Sequence, residues 1–241
     1  MSSYPGSQSA GKRRGLRLLI ALVVLIAVLI AADFTAKAVA ENVAATAFQK
    51  QGKLSHKPSV SIEGFPFLTQ VARKSFSDVL VSDSNLKEGP LTITSVHAKA
   101  TGVKINSFSF SSGTIAHLSG TLLIDFASLG NTLTTEVGPL GAVLHGAGLN
   151  LSAAGPDEVK ASINLIVTTG SATWRVTKLS PRELNIQLIK SSGLPPSLLS
   201  SIQSVNVHIP KLPLGLTIKR VRVTPAGVVG TVSGSDVPFG S

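Results

Sequence analysis

LLIALVVLIAVLIAA, residues 18–32, carries no polar side chain, and Lys12, Arg13, Arg14 and Arg17 stand just before it. A bilayer hydrocarbon core about 30 Å thick takes roughly 20 helical residues to cross. Gly15 to Phe34 supplies them when Arg17 snorkels to the headgroups and Asp33 marks the far interface. Basic residues on the N-terminal flank orient such a segment with its start in the cytoplasm. Residues 1–14 are then expected to form a disordered basic cytoplasmic tail, 15–34 a transmembrane anchor or signal sequence, 35–51 a helical stalk, and 52–241 an extracytoplasmic domain.

A cleaved signal peptide shows the same order of charge, apolar run and small residues. Ala36-Lys37-Ala38 and Ala38-Val39-Ala40 both fit a signal peptidase site, and a cleaved product would be secreted. The apolar run is long for a signal peptide, and both sites lie beyond Asp33 and Phe34, which favours an uncleaved anchor. Either way the remaining domain is read as periplasmic.

That domain has about 190 residues, enough for one large core. It has no cysteine, so disulfides, thiolate metal sites and cysteine nucleophiles are excluded. Charged residues make up only 14% and aromatics 5% of the chain, and Val, Leu, Ile and Ala carry the apolar load among Gly, Ser and Thr. Such a composition is β-rich. The formal charge of +10 falls to +6 once the four basic residues ahead of the anchor are set aside, leaving 18 basic against 12 acidic. A modest basic excess suits an anionic lipid surface; nucleic acid would call for a basic stripe with interleaved aromatics.

Beyond the anchor, Ala36, Ala40, Val43 and Ala47 recur at helical spacing, which carries the helix to about Gln51, where Gly52 stops it. Period-2 patterns follow. Val60 and Ile62 open a strand, Val79 and Val81 a second, and Leu91 to Ile105 a longer one with a change of phase near Gly102. Further strands are expected at Thr114–Asp125, Gly148–Ala153, Val159–Thr169, Ala172–Lys178, Glu183–Lys190, Val205–Ile209, Leu214–Thr224 and Val228–Ser233. Short helices are expected at Leu68–Lys74, Phe126–Thr135 and Ser197–Gln203, and residues 131–148, rich in glycine, read as a mobile loop. Pro156-Asp157 and Pro225-Ala226-Gly227 read as turns. The class is α+β with long antiparallel strands.

No catalytic motif emerges. Gly-x-Ser-x-Gly, a P-loop, Gly-x-Gly-x-x-Gly and His-Glu-x-x-His are all absent. His56, His97, His117, His145 and His208 stand apart in sequence, with no metal-ligand spacing among them. No cofactor and no metal are expected.

Two stretches are unusual. Gly64-Phe-Pro-Phe-Leu-Thr-Gln70 places three large apolar residues on a turn that Gly64 and Pro66 constrain. Ile209-Pro-Lys-Leu-Pro-Leu-Gly-Leu-Thr-Ile218 puts Leu212, Leu214, Leu216 and Ile218 on one face. Continued unbroken, that alternation would turn Arg220 and Arg222 to the apolar face; Val221 and Val223 call for a bulge near Lys219 that reverses the phase. The first stretch, soon after an apolar helix, and the closing Leu-Pro-Leu-Gly-Leu, Lys-Arg-Val-Arg-Val and Ala-Gly-Val-Val-Gly resemble the LmeA family of actinobacterial envelope lipid-binding proteins, over roughly residues 15–237. The resemblance implies a tubular lipid-binding fold: a long, strongly curved antiparallel sheet wrapped around a helix, with an apolar cavity. It implies phospholipid binding in the periplasm and support of mannan elongation in lipomannan and lipoarabinomannan.

On that reading the protein binds phospholipid or a phosphoinositide-type glycolipid without catalysis, at the cytoplasmic membrane and beside an envelope mannosyltransferase. Phe65, Phe67, Leu68, Val71, Leu198, Leu199, Ile202, Leu212, Leu214 and Leu216 are the candidates for the lining. Arg73, Lys74, Arg220 and Arg222 are the candidates for headgroup or membrane-surface contact. Exposing one acyl chain of about 16 carbons to water costs on the order of 13 kcal/mol. Six net charges at about 1 kcal/mol each cannot hold two such chains, so apolar enclosure must. Two other classes stay open: a scaffold for envelope glycosyltransferases with a filled core, and a lipid-modifying enzyme assembled from distant Ser, His and Asp residues.

Overall fold

The computed structural model describes residues 10–51, 54–88, 91–107, 112–136, 148–164, 169–181, 183–194, 203–208 and 216–240. Among them lie three helices and eleven strands, an α+β arrangement. The expected helix at 197–203 lies outside the described residues except for Gln203, which is not helical.

Helix α1 (Ala10–Gln51) is continuous for 42 residues, about 63 Å at 1.5 Å per residue. Its end at Gln51 is where the helical spacing of small residues stops. Up to Ala32 the apolar side chains stand exposed, and by length and composition the helix can cross a membrane. From Asp33 onward it packs. Ala36 and Ala40 lie against the larger apolar cluster and Ala45 is buried, whereas Val43, expected on the same face, is 50% exposed. The docked face follows Asp33, Ala36, Ala40 and Ala45, because close helix-to-sheet approach needs alanine.

The first sheet is six-stranded and antiparallel, in the order β1-β2-β3-β4-β11-β10. Its members are β1 (Ser59–Glu63), β2 (Ser75–Glu88), β3 (Leu91–Ile105), β4 (Gly113–Ile124), β10 (Thr217–Thr224) and β11 (Gly227–Phe239). β1 is an edge strand, and α1 covers it. The Glu41 carboxylate accepts the backbone N–H of Ile62 at 2.8 Å, so this edge donor is not left open for another chain.

The phase change expected near Gly102 is present and spans the sheet. By pairing register, Ser77, Gly102, Ala116 and Asp236 occupy one row across β2, β3, β4 and β11. On one side of that row the core-facing residues are Phe76, Val103, Ile115 and Val237; on the other they are Val79, Ala100, Leu118 and Val232. Alternation therefore skips one residue in each strand while the same face stays inward. In β3 and β11 left-handed backbone at Gly102 (φ 65°) and Asp236 (φ 51°) makes the skip. Glycine suits position 102, since a Cβ there would lie 3.0 Å from the Ala116 Cβ.

The second sheet is a five-stranded antiparallel meander of β5 (Asn150–Gly155), β6 (Glu158–Asn164), β7 (Thr169–Ser180), β8 (Glu183–Ser192) and β9 (Ser204–His208). The strands thus divide between two sheets where one long sheet was expected. The expected strand 159–169 ends at Asn164, and Thr169 opens the next. β11 runs six residues beyond the expected Ser233. Short α2 (Phe67–Ala72) packs on α1 and β2. α3 (Phe126–Glu136) lies against β3 and β5 and so bridges the sheets. It matches the helix expected at Phe126–Thr135, so residues 131–136 of the stretch also read as a glycine-rich loop are helical; 137–147 lie outside the described residues.

Apolar packing concentrates in two clusters. One gathers Ile62, Phe67, Phe76, Ala100, Val103, Ile105, Ile115, Leu118 and Val237. The other joins Leu151, Val159 and Ala161 of the second sheet to Val223 of the first, with Phe126 and Leu129 of α3 against them. The backbone N–H of Val223 donates to the Pro156 carbonyl at 2.7 Å, tying β10 to the β5–β6 turn.

Candidate functional site

The Gly64–Gln70 turn is built around the side chain of Gln70. Gly64 has φ 101°, and a Cβ there would meet Gln70 Nε2 at 2.7 Å, so glycine admits the glutamine beneath it. Gln70 Nε2 donates to the Glu63 carbonyl at 3.1 Å, and its Oε1 accepts the Ser77 N–H at 3.1 Å. The glutamine thus staples β1 to β2 at the row where alternation skips. Thr69 Oγ1 donates back to the Pro66 carbonyl at 2.8 Å.

The first N–H groups of a helix have no partner within it. Here Asp33 supplies one. Its Oδ2 accepts from Phe67 N at 2.8 Å and its Oδ1 from Leu68 N at 2.7 Å, while the residue is only 4% exposed. Sequence reasoning assigned Asp33 to the membrane boundary and missed this bond; a lone carboxylate on an alanine-rich face was the available signal. Beside it Phe34 stacks on Phe65, with ring centroids 6.0 Å apart.

The structure separates the candidate residues. Phe67 is 2% exposed and packs on Phe76, with centroids 6.1 Å apart, so it is a core anchor of the larger cluster. Val71 and Leu216 are half-buried against the same cluster. Phe65 and Leu68 point outward, 63% and 41% exposed. Leu198, Leu199, Ile202, Leu212 and Leu214 lie outside the described residues. Arg73 is exposed at the end of α2, and Lys74 follows with φ 52°, its Nζ donating to the Asn106 carbonyl at 3.3 Å.

In β10 the register shifts between Ile218 and Arg220, which pair with the adjacent residues Val232 and Thr231. Lys219 is the extra residue. The bulge keeps Ile218 and Val223 buried and leaves Arg220 and Arg222 exposed. α2 packs on β2, four strands from β10 in the sheet order, or about 19 Å at 4.8 Å per strand. The two basic pairs therefore do not meet.

Another stretch, absent from the candidates, runs between the clusters. Val81, Val96, Leu122 and Ile124 continue the inward face of the first sheet and stay half-buried. Val228, paired with Ile124, reaches the second cluster. A strip of aliphatic side chains is thus left incompletely covered.

A polar notch of about 340 Å³ opens where β1 begins, lined by His56, Lys57, Ser59, Ser82, Asp83, Ser84, Ser95 and His97. Every lining residue carries a polar group, which sets the notch apart from the aliphatic strip. His56, apart from every carboxylate in sequence, has its Nε2 2.5 Å from Asp83 Oδ1, and His97 Nδ1 lies 3.0 Å from Ser82 Oγ. Among the described residues no three His, Cys, Asp or Glu side chains are grouped to hold a metal ion.

A family model described as LmeA-like phospholipid-binding matches residues 31–233 of the 241. The chain belongs to that family. No curated protein and no solved structure matches it. The part matched to the LmeA-like family begins two residues before Asp33 and includes the docked half of α1, the Gly64–Gln70 turn, the second sheet, the Lys219 bulge and the first sheet except the last six residues of β11. Half of the long helix, residues 31–51, thus falls within the matched part.

Proposed function

We propose that this LmeA-like chain is a membrane-anchored, non-enzymatic phospholipid-binding protein of the cell envelope. The family match over residues 31–233 carries the reading, and the half-buried aliphatic strip between the two clusters supports it. Acyl chains lie along that strip, under a sheet that curves around the docked half of α1 in tubular fashion. Phe65, Leu68, Val71, Leu198, Leu199, Ile202, Leu212, Leu214 and Leu216 contact lipid, and Phe67 supports Leu68 and Val71 from within the core. Arg73, Lys74, Arg220 and Arg222 meet anionic headgroups of the membrane or of the bound lipid.

Residues 15–34 of α1 anchor the chain, with the folded part on the periplasmic side. The ligand is a phospholipid or a phosphoinositide-type glycolipid. Its delivery supports a membrane-bound mannosyltransferase that elongates the mannan of lipomannan and lipoarabinomannan. Native mass spectrometry of the full chain extracted in mild detergent tests the core of this proposal. Discrete mass increments of phospholipid, surviving detergent activation, are expected; a chain that neither retains phospholipid nor takes it up from vesicles would overturn it.

A further inference from the structure

The exposed aromatic pair at the foot of the folded region sits at a height that the helix itself defines. Gly15 to Phe34 is 20 residues, about 30 Å of helix, which matches the thickness of a hydrocarbon core. A helix that fills the core with these residues brings Phe34 to its far boundary. Phe34 is 59% exposed, and the Phe65 ring is stacked on it at 6.0 Å with an interplanar angle of 27°. The Asp33 carboxylate holds the next turn through the N–H groups of Phe67 and Leu68, so the Phe65–Leu68 segment is fixed to α1 at this height. Leu68 adds a third exposed apolar side chain, and Arg73, at the other end of α2, is exposed to meet phosphate.

We propose that Phe34, Phe65 and Leu68 form a membrane-inserted edge of the folded region, seated at the acyl–headgroup boundary of the leaflet from which α1 emerges. The occupant of this apolar surface is bilayer lipid, because the surface is continuous with the apolar face of the helix and ends where charge begins. Residues 35–51 then leave the membrane docked against the first sheet, because α1 is unbroken and hydrogen-bonded to both α2 and β1. The inference rests on the anchor reading.

The cysteine-free chain permits single labels. Nitroxides are attached to Phe65→Cys and Leu68→Cys in the full-length protein reconstituted into phosphatidylglycerol and phosphatidylethanolamine vesicles. Val24→Cys in the apolar run and Leu179→Cys, exposed on β7, serve as references. Collision with oxygen and with a water-soluble nickel chelate then reports depth. Labels at 65 and 68 are expected to show a several-fold loss of nickel collision relative to 179 while keeping oxygen collision, at a depth shallower than 24. Labels at 65 and 68 that match 179, with 24 in lipid, would overturn the inserted edge and leave the anchor standing. A label at 24 in water would overturn the anchor itself. Reduced collision with both reagents at 65 and 68 would mean a covering protein surface, such as a second copy, and would also overturn the proposal. Leu68→Cys leaves the Phe34–Phe65 stack intact, so the test survives a misfolded Phe65 variant.

Discussion

Asp33 Oδ2 accepts the backbone N–H of Phe67 at 2.8 Å, joining a helix that reads as an anchor to a turn 34 residues further along the chain. A buried carboxylate is costly unless hydrogen-bonded, and here both oxygens are satisfied by donors that α2 cannot pair internally. The bond makes the long apolar helix part of the folded region.

Asp33→Ala is expected to destabilise the fold by about 1–3 kcal/mol for each backbone N–H left unpaired. Asp33→Asn, which keeps one acceptor oxygen, should lose less. Hydrogen exchange at the Phe67 and Leu68 amides checks the site directly, and unchanged protection in Asp33→Ala would remove the clasp from the account.

Cutting the chain at residue 52 removes Asp33, Glu41, Ala36, Ala40 and Ala45, which hold or fill the first sheet. A fragment of residues 31–241 should therefore unfold cooperatively, whereas 52–241 should aggregate or lose fixed packing, with the β1 edge uncovered. Near-ultraviolet circular dichroism and size-exclusion profiles of the two fragments distinguish these outcomes.

Arg220 and Arg222 are exposed beyond the Lys219 bulge, so replacing both with Ser should leave thermal stability nearly unchanged. At about 1 kcal/mol per basic residue near an anionic surface, the double change should weaken vesicle association of the 31–241 fragment by roughly 30-fold at low salt. The salt dependence should flatten with it. Equal binding by both proteins in a vesicle flotation assay would reduce the pair to a solvated edge.

Asp125 caps α3: its Oδ1 accepts the Ser128 N–H at 2.6 Å, and this backbone bond holds its carboxyl below the ordinary value of 3.8. A depressed folded-state pKa contributes stability that is present above the unfolded value and lost as pH falls through the folded one. Thermal midpoints should therefore drop below about pH 4, and Asp125→Asn should show a shallower drop over that window. Parallel curves for the two proteins between pH 5 and 2 would mean that another carboxylate governs acid unfolding.

Elements governed by near neighbours were legible from residues alone. The end of α1 at Gln51, the span of β3 from Leu91 to Ile105 with its phase change at Gly102, and the bulge at Lys219 all follow from apolar spacing over a few residues. Glycine and proline supply the breaks. The motif Gly64-Phe-Pro-Phe-Leu-Thr-Gln70 also pointed to the right family, although Phe67 serves the core and Phe65 stands outside it.

Tertiary structure alone decided how these pieces meet. Nothing within a few residues of Asp33 shows that its acceptors will find the N–H groups of α2, and nothing near His56 announces Asp83. The division of the strands into two sheets, the choice of Ala45 over Val43 on the docked face, and the separation of Arg73 from Arg220 are likewise long-range outcomes. Periodicity tells each segment which face to bury. Which partner buries it depends on hydrogen-bond satisfaction and close packing between segments tens of residues apart, and that is settled only when the chain is folded.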